Sequence, residues 1–273
     1  MGKYSVLMSL YYKEKPEYLR QSLDSMINQT VKPDEIVMVY DGPLTDDLYT
    51  VMNEYIKQYP KLFNIVINEI NLGLGLSLNK GLLACKNELV ARMDTDDISK
   101  LDRCEKQLVE FSNNPKIDLL GGHIAEFITD MNEIIAKRIV PTNDYEIYEY
   151  IKKRCPFNHM TVMFKKEAVL KAGNYQDFFW NEDYFLWIRM QENRCVFSNL
   201  NSVLVYVRVG EEMYKRRGGW KYFKSELQLQ NYMLKKKLIK IKRWVLNISQ
   251  RFILQILMPN KLRGFIFKKI ARE

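Results

Sequence analysis

The sequence predicts an α/β fold with a mostly parallel central sheet, helices on its faces and a C-terminal helical extension. In the first half of the chain, short apolar runs alternate with amphipathic segments of helical period, as in βαβ units. From Trp220 onward the pattern is helical. The chain has 273 residues, of which 47% are hydrophobic, and can therefore bury the core of one large domain.

The elements of the first half follow from apolar runs separated by turn residues. Pro16 opens the first helix, and the turn Asp41-Gly42-Pro43 ends the second strand. The glycine-containing loop 71–75 separates the third strand from a short helix. The predicted strands are residues 4–10, 35–40, 63–68 and 89–93, and the predicted helices are residues 16–28, 48–58 and 76–84.

The second half predicts a mixture of strands and helices that extends the same sheet. Ser99 can cap a helix that continues to Asn113, and a turn at residues 129–132 joins two apolar runs. Further strands are predicted at residues 119–128, 134–140, 160–164 and 203–208, and further helices at 144–153 and 181–193. We therefore divide the chain into an α/β domain, residues 1–218, and a helical extension, residues 219–273.

The positive charge of the chain is concentrated in the extension. The net charge is +9, and residues 235–273 contribute twelve basic residues against one acid, or +11, which leaves −2 for the rest. A nearly neutral body predicts no nucleic-acid partner, whereas the basic arm predicts contact with an anionic surface. Four dispersed cysteines without a C-x-x-C pair, and no signal peptide, favour a cytosolic protein with reduced thiols.

An acidic cluster stands at the carboxyl end of the fourth predicted strand. Asp94, Asp96 and Asp97 would repel one another unless a cation or hydrogen-bond donors hold them. Oxygen ligands without His or Cys suit a hard divalent cation, Mn²⁺ or Mg²⁺. The alternative is a solvated acidic turn that caps the helix beginning near Ser99.

Five motifs occur in the order and spacing of one enzyme family. They are Ser9-Leu10-Tyr11-Tyr12, Tyr40-Asp41-Gly42, Asn71-Leu72-Gly73-Leu74-Gly75 leading to Asn79-Lys80-Gly81, Asp94-Thr95-Asp96-Asp97, and Asn181-Glu182-Asp183-Tyr184. With these motifs, residues 4–217 resemble the family 2 inverting glycosyltransferases, which have the GT-A fold. The resemblance implies transfer from a nucleotide sugar, with UDP expected, to a glycan or lipid-linked saccharide in bacterial surface polysaccharide synthesis.

The resemblance also implies a donor site. Ser9, Tyr11 and Asp41 would contact the base and ribose, since an aromatic ring can stack on a pyrimidine and a carboxylate can accept from its imide N–H. The alternative for Asp41 is an ordinary turn residue. Contacts with the donor sugar and diphosphate are expected at Asn71, Gly73, Lys80 and Asp94. Asp97 is the expected direct metal ligand and Asp96 the assisting one.

The catalytic base implied by the resemblance is Asp183, with Glu182 as the second choice. It would take the proton of the acceptor hydroxyl in a single displacement with inversion. From the residues alone, the pair could equally be first-turn acids of a helix capped by Asn181.

Four basic or histidine residues complete the expected site. His159 is a candidate acceptor contact, with a structural histidine as the alternative. Arg208, Arg216 and Arg217 resemble the family's mobile segment over the diphosphate, which suits the planar guanidinium; the alternative is a solvated basic loop.

The extension predicts an amphipathic helix with an apolar stripe of Ile241, Val245, Ile248, Phe252 and Ile256. Its apolar run is too short to span a bilayer, so we expect a peripheral protein on the inner face of the membrane. The alternatives are packing of the stripe on the catalytic body or on a second subunit in a homodimer.

Two other function classes remain open from the sequence. A sugar-nucleotide pyrophosphorylase has a similar sheet and also binds metal, but Tyr11-Tyr12-Lys13-Glu14-Lys15 occupies the place of its glycine-rich phosphate loop. The other class is a noncatalytic protein whose basic arm binds membrane or nucleic acid.

Overall fold

The computed structural model describes residues 2–210 and 218–258. The strands in these residues are β1 (Tyr4–Leu10), β2 (Glu35–Asp41), β3 (Phe63–Asn68), β4 (Leu89–Arg92), β5 (Ile98–Ser99), β6 (Leu119–Phe127), β7 (Ala136–Arg138), β8 (Met163–Lys165) and β9 (Phe197–Arg208). The helices are α1 (Pro16–Ile27), α2 (Asp46–Gln58), α3 (Leu74–Ala84), α4 (Arg103–Asn113), α5 (Asp144–Tyr150), α6 (Lys166–Lys171), α7 (Glu182–Glu192), α8 (Trp220–Lys235) and α9 (Ile241–Phe252).

These strands form one mixed sheet in the order β3-β2-β1-β4-β8-β6-β9-β5, with β7 paired on β6. Strands β1 to β4 are mutually parallel where they pair, as predicted. Strand β8 is antiparallel to both of its neighbours, β4 and β6, and β9 is parallel to β6. The prediction that the second half extends the sheet of the first half is therefore confirmed. More of the strand pairs are antiparallel than the prediction of a mostly parallel sheet implied.

Helices cover both faces of the sheet. Because successive side chains of a strand point to opposite faces, side chains of both orientations are buried. In β1, Val6 and Met8 face α1, α2 and α4, whereas Leu7 faces α3 and α7. All three are fully buried. The helices on both faces therefore pack against this central strand, whose carboxyl end lies at the edge of the sheet.

The predicted start of the helix after the acidic cluster is wrong. The helix expected to start at Ser99 starts at Arg103, because Ile98 and Ser99 pair with Tyr206 and Val205 of β9. The two-residue strand carries the chain from the acidic cluster to the end of β9, which brings Arg208 to the cluster. A pairing between positions about a hundred residues apart leaves no local periodicity in the sequence.

In its described residues, 219–258, the extension is helical, as predicted, and α8 and α9 pack against each other through the Arg251–Glu226 ion pair. In the described ranges, no helix combines the length and the apolar character needed to cross a membrane.

Candidate active site

The candidate site lies at the sheet edge where the parallel strands β1, β2 and β4 end. In open α/β sheets, the carboxyl ends of the strands form the crevice in which ligands bind. The acidic cluster follows β4, and its backbone is held from both sides of the strand end. The Ser22 hydroxyl of α1 donates to the Asp94 carbonyl at 2.6 Å, and the Met93 N–H donates to the Leu7 carbonyl at 3.1 Å.

The three carboxylates of the cluster converge. Asp94, Asp96 and Asp97 each offer an oxygen, and these oxygens lie within 4.8 Å of one another. Asp97 is buried, and its Oδ1 accepts from the Arg208 N–H at 2.9 Å. The cluster can therefore present several oxygen ligands to a single hard cation.

Two carboxyl groups of the cluster, those of Asp96 and Asp97, have raised pKa values in the absence of a cation. Burial, with Asp94 and Glu14 nearby, raises the pKa of Asp96 to about 7. Burial, with Asp96 and Asp94 nearby, raises the pKa of Asp97 well above its usual range. A bound divalent cation would reverse both effects, so the electrostatics fit a metal site better than a solvated acidic turn.

Arg92, the last residue of β4, is the cation closest to the cluster in the described chain. Its Nη2 forms an ion pair with Asp94 Oδ1, and its side chain is 1% exposed. Its Nε and Nη1 have no hydrogen-bond partner among the described residues. Asp94 is therefore already neutralised in part, which distinguishes it from Asp96 and Asp97.

Asp41, predicted to contact the nucleotide, holds the loop before α3. Its Oδ1 accepts from the Leu72 N–H at 2.7 Å and its Oδ2 accepts from the Gly73 N–H at 3.0 Å. Asn68 Nδ2 also donates to Oδ1, at 3.2 Å. The turn alternative for Asp41 is thus partly correct: the buried carboxylate organises the loop.

Gly42 allows the close approach of this loop to β2, and Gly73 allows its left-handed backbone turn. Gly42 has φ of +85°, and a Cβ there would lie 2.7 Å from the Asn71 nitrogen. Gly73, at φ of +86°, is the residue before α3. Asn71 itself donates from Nδ2 to the Asp41 carbonyl at 3.2 Å, so the predicted donor loop and the end of β2 form one unit.

The remaining predicted donor residues are placed as follows. Ser9 lies near the end of β1 and is half-buried, and Tyr11 follows the strand with its ring centroid 6.0 Å from that of Tyr12. Lys80 lies on the exposed side of α3. Its neighbour Asn79 instead joins α3 to the segment before α7, by donating from Nδ2 to the Tyr175 carbonyl at 2.6 Å.

The second acidic pair begins α7. Asp183 Oδ1 accepts from the Tyr184 N–H at 2.7 Å, and the Cys155 thiol lies 3.8 Å from Oδ2. Burial, with Asp183 nearby, raises the pKa of Glu182 to about 7, and burial also raises the pKa of Asp183. Carboxyl groups with raised pKa values are suited to proton transfer near neutral pH.

Asn181 precedes α7, but its side chain does not cap the helix as predicted. Its Nδ2 donates to Ser225 Oγ of α8 at 3.0 Å, and Ser225 Oγ donates to the Phe179 carbonyl at 2.7 Å. The start of α7 is therefore fixed by the C-terminal extension.

Gly75 brings the donor loop and the acidic pair into contact. A Cβ at Gly75 would lie 2.6 Å from the Gln176 carbonyl oxygen and 3.1 Å from the Glu182 Cβ. Arg92 also acts on both groups, since its positive charge opposes the rise in the pKa values of Asp96, Asp97, Glu182 and Asp183. We therefore describe the acidic cluster and the acidic pair together, as one candidate site.

His159 is buried in the core, where its Nε2 lies 3.0 Å from the Tyr175 hydroxyl. Burial and the Arg92 charge lower the pKa of His159 well below its usual value. This packing supports the structural alternative rather than the acceptor contact expected from the sequence, because a neutral, enclosed imidazole is not presented to a ligand.

Of the three predicted arginines, Arg208 is brought to the cluster. It ends β9 rather than lying in a loop, its Nε donates to the Asp96 carbonyl at 3.3 Å, and its guanidinium carbon lies 3.9 Å from the centroid of the Tyr18 ring. Arg216 and Arg217 lie outside the described residues.

Two site residues were missed by the sequence reasoning. Glu14 Oε2 accepts from the Thr95 hydroxyl at 2.7 Å, and Arg92 pairs with Asp94. Arg92 could have been identified, since a charged residue inside an apolar strand needs a buried partner. Glu14 lies among the charged residues that follow β1, so nothing local distinguishes it from a surface residue.

Comparison with known proteins identifies the family. A sequence profile of glycosyl transferase family 2 matches residues 5–178, which is more than half of the chain. The chain belongs to glycosyl transferase family 2. The sheet edge with its acidic cluster is accordingly the candidate active site of a glycosyltransferase.

Relatives of this glycosyltransferase extend over nearly its whole length. It is 41% identical to the amylovoran biosynthesis glycosyltransferase AmsE of Erwinia amylovora, over 97% of this chain and 98% of the relative. It is 36% identical to the Escherichia coli UDP-Gal:alpha-D-GlcNAc-diphosphoundecaprenol beta-1,3-galactosyltransferase, over 99% of this chain and 97% of the relative.

A solved structure shows the same fold. The mannosyltransferase PcManGT of Pyrobaculum calidifontis, in complex with GDP-Man and Mn²⁺, superposes with a TM-score of 0.63 at 13% identity. The match covers 96% of this chain and 72% of that one. The predicted GT-A fold of this glycosyltransferase is confirmed.

Proposed function

We propose that this glycosyltransferase moves a sugar, with inversion, from a UDP-sugar to a hydroxyl group of a saccharide acceptor in the synthesis of a bacterial surface polysaccharide. The observation that carries the proposal is the pairing of two separate carboxylate groups at one sheet edge. Asp96 and Asp97 are proposed to face the donor, and Glu182 and Asp183 to face the acceptor. The contact of Gly75 with Glu182 and the charge of Arg92, which acts on both acidic groups, support this arrangement.

The acidic pair supplies the proton acceptor. A carboxylate of Asp183, or Glu182 as the second choice, takes the proton from the acceptor hydroxyl as the oxygen attacks the anomeric carbon. The new carbon–oxygen bond forms as the bond from the anomeric carbon to the diphosphate oxygen breaks on the opposite face. The raised pKa of Glu182, about 7, supports a base that is partly deprotonated at neutral pH.

The donor side binds and orients the nucleotide sugar. Asp41 keeps two N–H groups of the loop in place and retains lone pairs that can accept from the imide of a pyrimidine. Ser9 and Tyr11 follow from the same strand edge, and Asn71, Gly73, Lys80 and Asp94 are proposed to lie along the sugar and diphosphate. Arg208 would add a positive charge beside the phosphates.

Asp97, assisted by Asp96, would hold Mn²⁺ or Mg²⁺. Their oxygen donors and raised pKa values fit such an ion. When bound, the cation supplies positive charge beside the leaving diphosphate.

The acceptor is proposed to be lipid-linked, and the enzyme to work as a peripheral protein on the inner face of the membrane. The basic arm supports this placement, and the E. coli relative is named for a diphosphoundecaprenol acceptor. The pyrophosphorylase and noncatalytic alternatives receive no support from the family match.

The test is a donor screen read out by nucleotide release, with and without Mn²⁺, together with thermal shift. We expect UDP or a UDP-sugar to raise the melting temperature only when Mn²⁺ or Mg²⁺ is present. Stabilisation that is independent of metal would contradict the role of the cluster. Release of pyrophosphate from a nucleoside triphosphate and a sugar phosphate would restore the pyrophosphorylase reading.

A further inference from the structure

Helix α9 directs polar as well as apolar side chains to the protein, and Phe252 packs on Phe223 with their ring centroids 5.5 Å apart. Its buried side carries polar residues: Asn247, 2% exposed, donates from Nδ2 to the Lys152 carbonyl and to Gln230 Oε1, each at 2.8 Å. One turn later, Arg251 forms an ion pair with Glu226 and donates from Nη2 to the Lys153 carbonyl at 3.0 Å. The helix is therefore fastened to the catalytic body by directional polar contacts.

The opposite side of α9 and of the turn after it is apolar and exposed. We call this surface the outer ridge. Its members are Ile241, Val245, Leu246, Ile253 and Leu257, between 45% and 62% exposed. The predicted stripe is thus divided, because Ile241 and Val245 lie outside whereas Ile248 and Phe252 are half-buried. A surface helix normally directs its apolar side to the core, and a row of exposed apolar side chains marks an interaction surface.

Charge identifies the kind of partner that fits the outer ridge. Lys240 and Lys242, which flank Ile241, are exposed, as are Lys235, Lys236 and Lys237 just before α9. The whole stretch of residues 235–273 carries +11. A second copy would bring two such arms together and set like charges against each other, whereas an anionic lipid surface neutralises them.

We propose that the outer ridge is the surface through which this protein lies on an anionic lipid leaflet, with the apolar side chains in the interface and the lysines among the headgroups. The inference rests on the proposed function, since a lipid-linked acceptor requires the enzyme at a membrane. It adds the surface that makes the contact.

The contact would also orient the active site. Glu226, the partner of Arg251, lies on α8 one residue after Ser225, which binds Asn181 and the Phe179 carbonyl at the start of α7. A short chain of contacts therefore connects the outer ridge to the residue before Glu182 and Asp183. The proposed base would therefore have a fixed position relative to the leaflet, because contacts within the fold, and not a flexible linker, connect it to the outer ridge.

The test is sedimentation of the full-length protein with vesicles of phosphatidylglycerol and phosphatidylcholine, compared with phosphatidylcholine alone. In the double variant Leu246→Glu/Ile253→Glu, we expect binding to the anionic vesicles to fall roughly tenfold or more, because even one Leu-sized side chain withheld from an apolar phase changes a partition by about that factor. Leu83→Glu on α3, where Leu83 is 59% exposed, is the matched control and should bind as the wild type does.

A second variant tests the charge. Lys240→Gln/Lys242→Gln should lower binding to the anionic vesicles roughly fivefold per lysine and leave the melting temperature unchanged. Wild-type binding by both variants would overturn the inference. So would light scattering that shows a wild-type dimer converted to a monomer by the ridge variant without loss of vesicle binding, since a second copy would then be the occupant.

Hydrolysis of the UDP-sugar without vesicles separates this inference from the proposed function. All variants should retain the wild-type rate, since no substituted side chain belongs to the active site. If no protein, including the wild type, turns over any nucleotide sugar while the vesicle results hold, the proposed function fails and the membrane surface stands.

Discussion

Gly75→Ala adds a single methyl group where the loop of residues 71–75 contacts the segment that carries Glu182 and Asp183 in the candidate active site. The new Cβ would lie 2.6 Å from the Gln176 carbonyl oxygen, against 3.4 Å where ordinary contact begins, a shortfall of about 0.8 Å. Because the opposing atom belongs to the backbone, the segment before α7 must move as a unit. Overpacking of this kind costs about 1–3 kcal/mol, whereas helix propensity alone would favour Ala over Gly by up to about 1 kcal/mol.

The expected kinetic effect follows from the same displacement. Moving Glu182 and Asp183 by several tenths of an ångström from the donor should lower kcat/KM for transfer by about 10-fold to 100-fold, since misplacement by about 1 Å can cost about 10²-fold. The assay is nucleotide release with saturating donor and varied acceptor, together with the melting temperature. We expect the metal-dependent thermal shift by UDP to persist, because the acidic cluster is untouched.

Gly210→Ala is the matched control for this substitution. Among the described residues, no heavy atom lies within 4 Å of a Cβ at Gly210, and its φ is not in the left-handed region. The control should match the wild type in rate and stability. If Gly75→Ala also retains the wild-type transfer rate and melting temperature, the inferred contact between donor loop and acidic pair is incorrect.

Three further outcomes follow from the site. Asp97→Asn should abolish the Mn²⁺-dependent thermal shift by UDP, whereas Asp130→Asn on the exposed turn should not; a retained shift would remove Asp97 as the metal ligand. Asp183→Asn should lower kcat by about 10²-fold to 10⁴-fold and leave that thermal shift intact, with Asp177→Asn as the control. Normal transfer by Asp183→Asn would end the assignment of Asp183 as the base. The pKa of Asp96, raised from 3.8 to about 7, means that the metal-free folded state holds a proton that the unfolded state has lost. The melting temperature without metal should therefore fall between about pH 4 and about pH 7, and the Mn²⁺-induced gain should grow over the same range; a metal-free melting temperature that rises with pH there would contradict the sign.

Local sequence patterns predicted the parallel half of the fold well. The runs that form β1 and β2 are continuously apolar because both faces of the sheet are covered, and this burial leaves a strong signal in the sequence. Strand β5 left no such signal, because two residues owe their conformation to distant residues of β9. The helix start was displaced to Arg103 for the same reason.

The candidate site, too, could be predicted from the sequence only in part. The acidic cluster and the pair Glu182–Asp183 are contiguous motifs, so they could be recognised in the sequence. The loop-holding role of Asp41 and the burial of His159 depend on hydrogen bonds to residues far along the chain. In α9, periodicity identified an amphipathic helix but could not identify which side faces the protein, because the buried contacts of Asn247 and Arg251 exist only in the assembled fold.

The charge balance of the cluster explains why its three members are unequal. Arg92 forms an ion pair with Asp94, so one carboxylate of three is compensated by the protein itself. Asp96 and Asp97, when ionised, leave two negative charges, which the backbone N–H of Arg208 offsets only in part, whereas the Arg208 guanidinium acts on the nearby Glu14. A divalent cation carries the charge that would complete the balance. Asp94, held by Arg92, is then better suited to orient the sugar than to bind the metal, and its role as a sugar contact remains the prediction made from the sequence.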